Sequence, residues 1–247
     1  MTVRRWHIVS LLAGLLLLGG FAFPAAAQSI ALDFGGGADG ETVSGRVIQL
    51  VLMITVLSLA PGILMTVTSF TRFIVVLSLL RTGLGTQGAP PNAVLVSLAL
   101  FLTFFVMGPT FERAWETGVE PLTAGEITEE VAFERVAAPF RTFMLSHVRE
   151  DDLGMFIDLS GRDVATTEET PLTVLAPAFM VSELRRAFEI GFLLFLPFLI
   201  IDLVVSAILM AMGMMMLPPV TISLPFKLIF FVLVDGWHLV AGSLVQS

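Results

Sequence analysis

Charged residues and prolines interrupt the long apolar runs of this chain, and they restrict how it can fold. The runs are Val47–Leu80, Ala93–Gly108, Ile190–Leu217 and Leu228–Val245. Pro61-Gly62 and Pro197 lie inside two of them. Ionisable residues also lie in or beside them, among them Arg72, Asp202, Lys227 and Asp235. A charge facing lipid at the bilayer centre costs at least ~2.5–3.5 kcal/mol, and broken backbone is tolerated only where protein buries it or it lines a cavity. We therefore predict kinked helical hairpins that pack mainly against other protein in a larger assembly.

The composition indicates an all-α membrane protein. Of the 247 residues, 56% are hydrophobic and 14% are charged, and the mean hydropathy is +0.93. A soluble domain is roughly 25% charged. The net charge of −8 argues against nucleic acid as a partner. The chain has no cysteine, which excludes disulfides, thiol catalysis and cysteine-ligated metals.

The N-terminus has the pattern of a cleavable signal peptide, residues 1–27. Arg4 and Arg5 precede the apolar stretch Ile8–Phe23, and cleavage is expected after Ala27 in an A-x-A site. A first membrane helix that is retained is the alternative interpretation. Residues 28–46 form a Gly-rich tail that is expected to be a flexible linker.

The remainder divides into three predicted regions. Residues 47–109 form an apolar helical hairpin, broken at Pro61-Gly62, and residues 185–247 form a second one with a methionine-rich loop. Between them, residues 110–184 are polar and acidic, and helical spacing from Glu130 to His147 predicts a small, mostly helical domain.

The charges also predict a topology. The segment from Thr68 to Pro91 carries Arg72 and Arg81 and no acidic residue, which places it in the cytoplasm by the positive-inside rule. The acidic domain is then periplasmic. Arg185 and Arg186 disagree with this assignment, because they would lie on the outer side.

A methionine cluster precedes the dipeptide Pro218-Pro219. Its members are Met210, Met212, Met214, Met215 and Met216. Thioether side chains are unbranched and adapt to irregular or changing surfaces. The cluster therefore predicts either core filling or a soft seal around something that moves. Cu(I) transport through thioether ligands is a third interpretation, but the chain lacks the cysteine and nearby histidine that usually accompany it.

The charges in the apolar runs have two interpretations. Arg72, Asp202, Lys227 and Asp235 form either a proton or ion relay or a set of ion pairs that fix helix or subunit packing. No repeated carboxylate pattern is present, which favours packing. No H-E-x-x-H, G-x-S-x-G or P-loop motif occurs, so we predict no catalytic residue, no cofactor, no metal site and no enzyme.

Three segments closely resemble signatures of the FliP family, the flagellar type III export-gate proteins and their injectisome relatives. They are PAFMVSELRRAFEIGF at residues 177–192, the stretch from MGMMMLPPVTISLPFK to FVLVDGW at residues 212–237, and SFTRFIVVLSLLR at residues 69–81 with GTQ and PPN after it. The resemblance covers the chain from about Gln49 onward. The predicted signal peptide and the full-length organisation are typical of the flagellar branch.

The resemblance implies a homo-oligomeric, pentameric ring at the base of the flagellum, in the inner (cytoplasmic) membrane. Together with FliQ and FliR, such a ring passes unfolded export substrates through its centre, and its helices form bent hairpins raised largely out of the bilayer. It also implies roles for particular residues. A pore gate maps onto Met214, Met215 and Met216, and ring assembly maps onto Glu183 and Arg185.

The predicted function is a non-enzymatic subunit of the flagellar protein export gate, with the methionine loop as its seal. Two alternatives belong to other classes. One is an ion-coupled secondary transporter or channel that uses Asp202 and Asp235. The other is a structural basal-body scaffold without a pore.

Overall fold

The computed structural model describes residues 43–86, 88–161, 166–214 and 216–246. The chain divides into two compact units, Met1–Leu50 and Val51–Ser247, and every residue of the two buried cores lies in the second. The predicted signal peptide, its cleavage site at Ala27, residues 28–42 of the predicted tail and Met215 lie outside the described residues.

The described residues hold nine α-helices and no strand. The helices are α1 (Val43–Val67), α2 (Phe70–Leu84), α3 (Asn92–Ala114), α4 (Glu120–Thr123), α5 (Glu129–His147), α6 (Glu150–Ser160), α7 (Leu172–Ala211), α8 (Pro219–Leu233) and α9 (Gly236–Gln246). A π-helical turn, Trp115–Val119, joins α3 to α4, and a 3₁₀ turn, Thr167–Glu169, precedes α7. The prediction of an all-α fold is confirmed, and α5 begins one residue before the predicted helix at Glu130.

The predicted break at Pro61-Gly62 is wrong, because α1 continues through both residues to Val67. An interior proline removes one N–H donor but need not end a helix whose other backbone bonds are kept. The helix ends instead at Val67, and Thr68-Ser69 separate it from α2. There the Thr68 hydroxyl donates to the Leu64 carbonyl at 2.7 Å and accepts from the Phe70 N–H at 3.3 Å. Such local side-chain bonds compete with the backbone bonds of a helix.

Helix α7 is continuous over 40 residues, although Pro177 and Pro197 lie inside it. The interruption expected at Pro197 is therefore also wrong, for the same physical reason. The helix extends from the predicted acidic region into the predicted C-terminal apolar region, so the boundary expected between residues 184 and 185 falls inside it. The two regions are joined by one continuous helix.

Helix α2 packs most extensively against α7. Its buried residues Phe73, Val76, Leu77 and Leu80 recur at helical spacing and form one face. Gly191 on α7 allows a close approach, because an added Cβ would lie 2.3 Å from Cδ1 of Leu79. The first buried core joins α2 and α3 to α7, α8 and α9, and the second joins α3, α5, α6 and α7.

Among the described residues, two helical segments are long and apolar enough to cross a membrane, Asn92–Thr123 and Leu172–Ala211. Helices α8 and α9, bent by 64° relative to each other, form a third if they are counted as one broken span. Large apolar side chains remain exposed along these segments, among them Phe101, Phe105 and Leu193. The chain is an all-α membrane protein.

Candidate functional site

The methionine turn, residues 212–218, begins where α7 ends at a glycine in the left-handed conformation. Gly213 has φ of 74°. Its N–H donates to the Met210 carbonyl at 3.0 Å, and the Met214 N–H donates to the Leu209 carbonyl at 3.0 Å. This is the Schellman arrangement, which satisfies the last carbonyls of a helix and needs glycine at the left-handed position. The helix end therefore fixes where the turn leaves α7.

The described methionine side chains of this turn, Met212, Met214 and Met216, are exposed or half-buried. Met216 is 99% exposed, Met212 is also exposed and Met214 is half-buried. Met210, in the last turn of α7, is exposed as well. The described methionines thus form an apolar tip rather than part of the protein core.

The pair Pro218-Pro219 begins the next helix. Pro219 is the first residue of α8, where its fixed φ suits a helix and its missing N–H would have had no intrahelical partner. The methionine turn therefore lies between Gly213, which caps the end of α7, and Pro219, which begins α8.

Asp202 and Lys227 join the two helices that carry the turn. The Lys227 Nζ lies 2.6 Å from Oδ2 of Asp202, and the Ser223 hydroxyl donates to Oδ1 of Asp202 at 2.5 Å. Lys227 is 3% exposed and Asp202 is 27% exposed. Asp202 lies nine residues before the end of α7, about 14 Å along its axis. The pair fixes α8 against α7 below the methionine turn.

The same ammonium group also binds helix α2. Lys227 Nζ donates to the Gly83 carbonyl at 3.0 Å, in the last turn of α2. Carbonyls in the last turn have no intrahelical donor and carry partial negative charge, so a lysine there is favourable. An added Cβ at Gly83 would lie 2.9 Å from Cδ2 of Phe198, which shows how closely α2 and α7 approach. One lysine thus joins three helices.

Arg72 and Glu183 form a second buried ion pair, between α2 and α7. The Arg72 Nε lies 2.7 Å from Oε2 of Glu183, and Nη2 lies 2.5 Å from Oε1. Their side chains are 2% and 1% exposed. The two-point geometry gives a strong, oriented pair. Removing either partner would leave an uncompensated buried charge.

Ser182, the neighbour of Glu183, attaches helix α6 to α7. Its hydroxyl accepts from the Arg149 N–H at 3.1 Å and donates to Oδ2 of Asp152 at 2.7 Å. Arg149 is the N-cap residue of α6, and Asp152 is the third residue of that helix. A capping box links these two positions directly; here a hydroxyl from another helix bridges them. The consecutive residues Ser182 and Glu183 therefore bind two different helices.

The four predicted intramembrane charges do not converge on one site. Arg72 pairs with Glu183, whereas Lys227 pairs with Asp202. Arg72 and Gly83, the α2 contact of Lys227, are eleven residues apart, about 16 Å along the helix. Asp235 lies exposed between α8 and α9. The two ion pairs are therefore separate.

The residues expected in ring assembly differ in their surroundings. Glu183 is buried and paired inside the chain, as described above. Arg185 is 54% exposed, and its Nε lies 3.7 Å from Oε1 of Glu189 on the same helix. Within the described ranges, no group of three or more His, Asp or Glu side chains is placed to hold a metal ion.

Three residues important to this geometry were not predicted from the sequence. Ser182 and Asp152 connect α6 to α7, and Ser223 binds Asp202. The sequence holds partial signals for them. Asp152 is an acidic residue in a first helical turn, and Ser223 precedes Lys227 by four positions, which places both on one face of α8.

Comparison with known proteins identifies the family. The sequence model described as "FliP family" matches residues 53–244. The flagellar biosynthetic protein FliP of Caulobacter vibrioides is 56% identical over 246 residues, covering 99% of this chain and 91% of the relative. The proteins of the same name from Bacillus subtilis and Aquifex aeolicus are 52% and 48% identical, over 85% and 94% of this chain and 95% and 96% of their own lengths. The resemblance predicted from the three signature segments is confirmed, and the chain belongs to the FliP family.

Proposed function

We propose that this chain is a non-enzymatic membrane subunit of the flagellar protein export apparatus. Its membership of the FliP family supports this, as do relatives named flagellar biosynthetic proteins and two helices able to cross a membrane. The subunit lies in the inner membrane, with the acidic region of residues 110–184 in the periplasm, and residues 1–27 are its cleaved signal peptide.

The subunit works as part of a homo-oligomeric ring, a pentamer, that assembles with FliQ and FliR. The exposed apolar faces of α3, α7 and α8 support assembly, because the helices leave large side chains uncovered. The bend between α8 and α9 also supports it, since broken backbone is tolerated only where protein buries it or it lines a cavity. Unfolded export substrates pass through the centre of this ring.

The methionine turn seals the channel, with Met214, Met215 and Met216 as its gate. The observation that carries this proposal is the exposed apolar tip, with Met216 at 99% exposure, held between Gly213 and Pro219. A ring of thioethers excludes water and ions when closed. It also repacks around a passing chain, because unbranched methionine side chains adapt their shape easily.

Glu183 and Arg185 contribute to ring assembly in different ways. Glu183 is 1% exposed and binds Arg72, so it acts by fixing the orientation of α7 within the protomer. Arg185 is exposed two positions after Glu183 on the same helix, where it is available to a neighbouring subunit.

A stalled export substrate tests the position of the gate. A photo-crosslinking residue replaces Met216, and an export substrate is fused to a domain too stable to unfold, so that it stops in the channel. We expect a covalent adduct between position 216 and the substrate. The matched control is the same residue at Leu159, which is exposed on α6 outside the methionine turn. Equal adducts at both positions, or none at 216 with a stalled substrate present, would contradict the proposed gate.

The two alternatives predict different results. An ion-coupled transporter that uses Asp202 and Asp235 would conduct ions as purified protein in liposomes, and neutralising Asp202 would abolish that flux. A structural scaffold would tolerate replacement of the methionines without any ion leak. The ion pair of Asp202 with Lys227 favours a packing role for this carboxylate.

A further inference from the structure

Two arginines lie next to each other where the end of α3 meets α5. The Thr117 hydroxyl donates to the Arg113 carbonyl at 2.7 Å and lies 3.3 Å from the Arg135 carbonyl oxygen. Arg113 is in the last turn of α3, and Arg135 is on α5. One hydroxyl therefore joins the backbone at both arginine positions.

A π-helical turn and a glycine produce this close approach. The turn Trp115–Val119 contains Gly118, where an added Cβ would lie 2.5 Å from Cγ2 of Val136 and 3.0 Å from its backbone nitrogen. A larger residue at 118 would therefore push α5 away. Because π-helical turns are rare and occur frequently at functional sites, the surface that this turn forms with α5 is a candidate binding site.

That surface is an open groove of about 520 Å³, the α3–α5 groove, whose lining includes Arg113, Glu116, Thr117, Arg135 and Thr142. Ligand sites have volumes of about 300–1,000 Å³. The two guanidinium groups and the Glu116 carboxylate make no ion pair or hydrogen bond with any other described residue. Three exposed charged groups thus line one groove and are available to a ligand.

The groove lies at the end of an uncharged helix that matches a membrane in length. Residues 92–111 contain no charged side chain, and Arg113 follows Asn92 by 21 positions, about 32 Å along a helix axis. The hydrocarbon core of a bilayer is about 30 Å thick. With the subunit in the inner membrane, as proposed above, Asn92 and Arg113 lie at the two boundaries of this core. Trp115 is 58% exposed, and tryptophan is enriched at membrane–water interfaces, which supports this depth.

The charges of the groove match those of a phospholipid headgroup. Guanidinium groups bind phosphate oxygens through paired hydrogen bonds, and basic pockets beside membrane helices bind lipid headgroups. Glu116 adds a carboxylate to the same groove, and it would repel a ligand that carries negative charge alone. A phosphate joined to an ammonium group, as in phosphatidylethanolamine, offers a partner to the arginines and to Glu116.

We propose that the α3–α5 groove binds the headgroup of an aminophospholipid, with Arg113 and Arg135 on its phosphate and Glu116 on its ammonium group. The acyl chains extend along α3, where the side chains of Phe101 and Phe104 are exposed. This inference rests on the membrane location in the proposed function and does not depend on the methionine seal.

Lipid retention by the detergent-purified full chain tests the site. Phosphatidylethanolamine is added, and the lipid bound per protomer is measured by native mass spectrometry. The double variant Arg113→Gln, Arg135→Gln should retain about tenfold less lipid than the unaltered protein, because it loses two charge-assisted contacts. Arg81→Gln removes an arginine that lies beside Asn92, at the opposite end of α3, and should retain as much lipid as the unaltered protein. Equal retention by the double variant and the unaltered protein would overturn the proposal.

The choice of headgroup tests the role of Glu116. The unaltered protein should retain phosphatidylethanolamine about fivefold better than phosphatidylglycerol, and Glu116→Gln should abolish this preference. Glu112→Gln removes a neighbouring exposed carboxylate and should keep the preference. Equal retention of the two lipids, a preference that survives Glu116→Gln, or binding of inorganic phosphate as tight as that of the lipid would each overturn the proposal.

Photo-crosslinking in cells identifies the occupant of the groove. Benzoylphenylalanine replaces Ala138, an exposed residue of the groove lining, and the same replacement at Leu159 on α6 is the control. We expect a phospholipid adduct at 138 and none at 159. An adduct at 138 to a protein, whether a second copy of this chain or another subunit, would overturn the proposal. The lipid measurements involve no export substrate, so a negative lipid result overturns this inference and leaves the export function to its own test.

Discussion

Glu183 binds Arg72 through two hydrogen bonds, of 2.5 Å and 2.7 Å, although the two residues are 111 positions apart in the chain. The adjacent residue, Ser182, binds helix α6 instead. These two residues lie inside the segment PAFMVSELRRAFEIGF that resembles the FliP family. Two consecutive residues of this segment therefore hold α2 and α6 against the same long helix, α7.

Neutralising Glu183 should destabilise the protomer itself. Glu183→Gln leaves the Arg72 guanidinium buried without a counter-charge, which costs about 3–5 kcal/mol. We expect a lower melting temperature of the detergent-purified protein and less protein in the membrane. Glu189→Gln removes an exposed carboxylate from the same helix and should change stability by less than about 1 kcal/mol. Loss of the ring with an unchanged melting temperature would show that Glu183 acts between subunits instead.

Ser182→Ala should loosen α6 without unfolding the rest of the chain. The substitution removes the hydroxyl that binds Asp152 and the Arg149 N–H, at a cost of about 1–3 kcal/mol. Amide hydrogen exchange should become faster in the first turn of α6 and remain unchanged in α2. Ser243→Ala removes a hydroxyl that binds only within α9, to the Val240 carbonyl, and serves as the control. Equal protection of α6 in both variants would contradict this role.

The two single variants of the Asp202–Lys227 pair should differ in how much stability they lose. The double variant should restore part of the stability lost in Asp202→Asn. Asp202→Asn leaves a lysine that is 3% exposed without its counter-charge, whereas Lys227→Met leaves a carboxylate that is 27% exposed and still bound by Ser223. We therefore expect Asp202→Asn to be the more destabilising. Adding Lys227→Met to it should recover melting temperature and secretion of flagellar proteins, because no uncompensated buried charge remains. An ion relay predicts the opposite, with no secretion from the double variant.

Gly213 should be more sensitive to alanine than another glycine with the same backbone conformation. Gly213 and Gly125 both have φ of 74°, and an added Cβ at either would meet no atom within 4 Å. Alanine thus costs a similar amount at both, about 1–2 kcal/mol. Gly213→Ala also displaces the methionine turn from its helix cap, so it should raise ion leak across the membrane. Gly125→Ala should lower stability to a similar extent without leak. Equal leak from the two variants would contradict a sealing role for the turn.

Local patterns predicted much of this fold. The helical spacing of apolar residues identified α5 to within one residue, and the methionines with Pro218-Pro219 indicated a turn between two apolar helices. These features depend on neighbours in the sequence. The prolines were more misleading, because the surrounding backbone bonds carry α1 past position 61 and α7 past Pro197.

The partners of the charged residues could not be read from the sequence. Arg72 meets Glu183 across 111 positions, and Lys227 meets Gly83 across 144. Which carboxylate faces which cation depends on how α2 and α7 approach, and close approach depends on Gly83 and Gly191. Arg72 contributes to the predicted cytoplasmic location of residues 68–91, yet it is buried and paired with Glu183. Among the two arginines of that segment, Arg81 is the one placed near a helix end.

Ion leak across the membrane tests the central claim, that the methionine turn seals a channel. Cells expressing the triple variant Met214→Ala, Met215→Ala and Met216→Ala are compared with cells expressing the unaltered protein and Met155→Ala, an exposed methionine on α6. Protein level and ring assembly are measured in the same cells. We expect leak from the triple variant alone, with the ring intact. No leak, together with an intact ring and normal secretion of flagellar proteins, would contradict the claim and leave the methionines as packing residues.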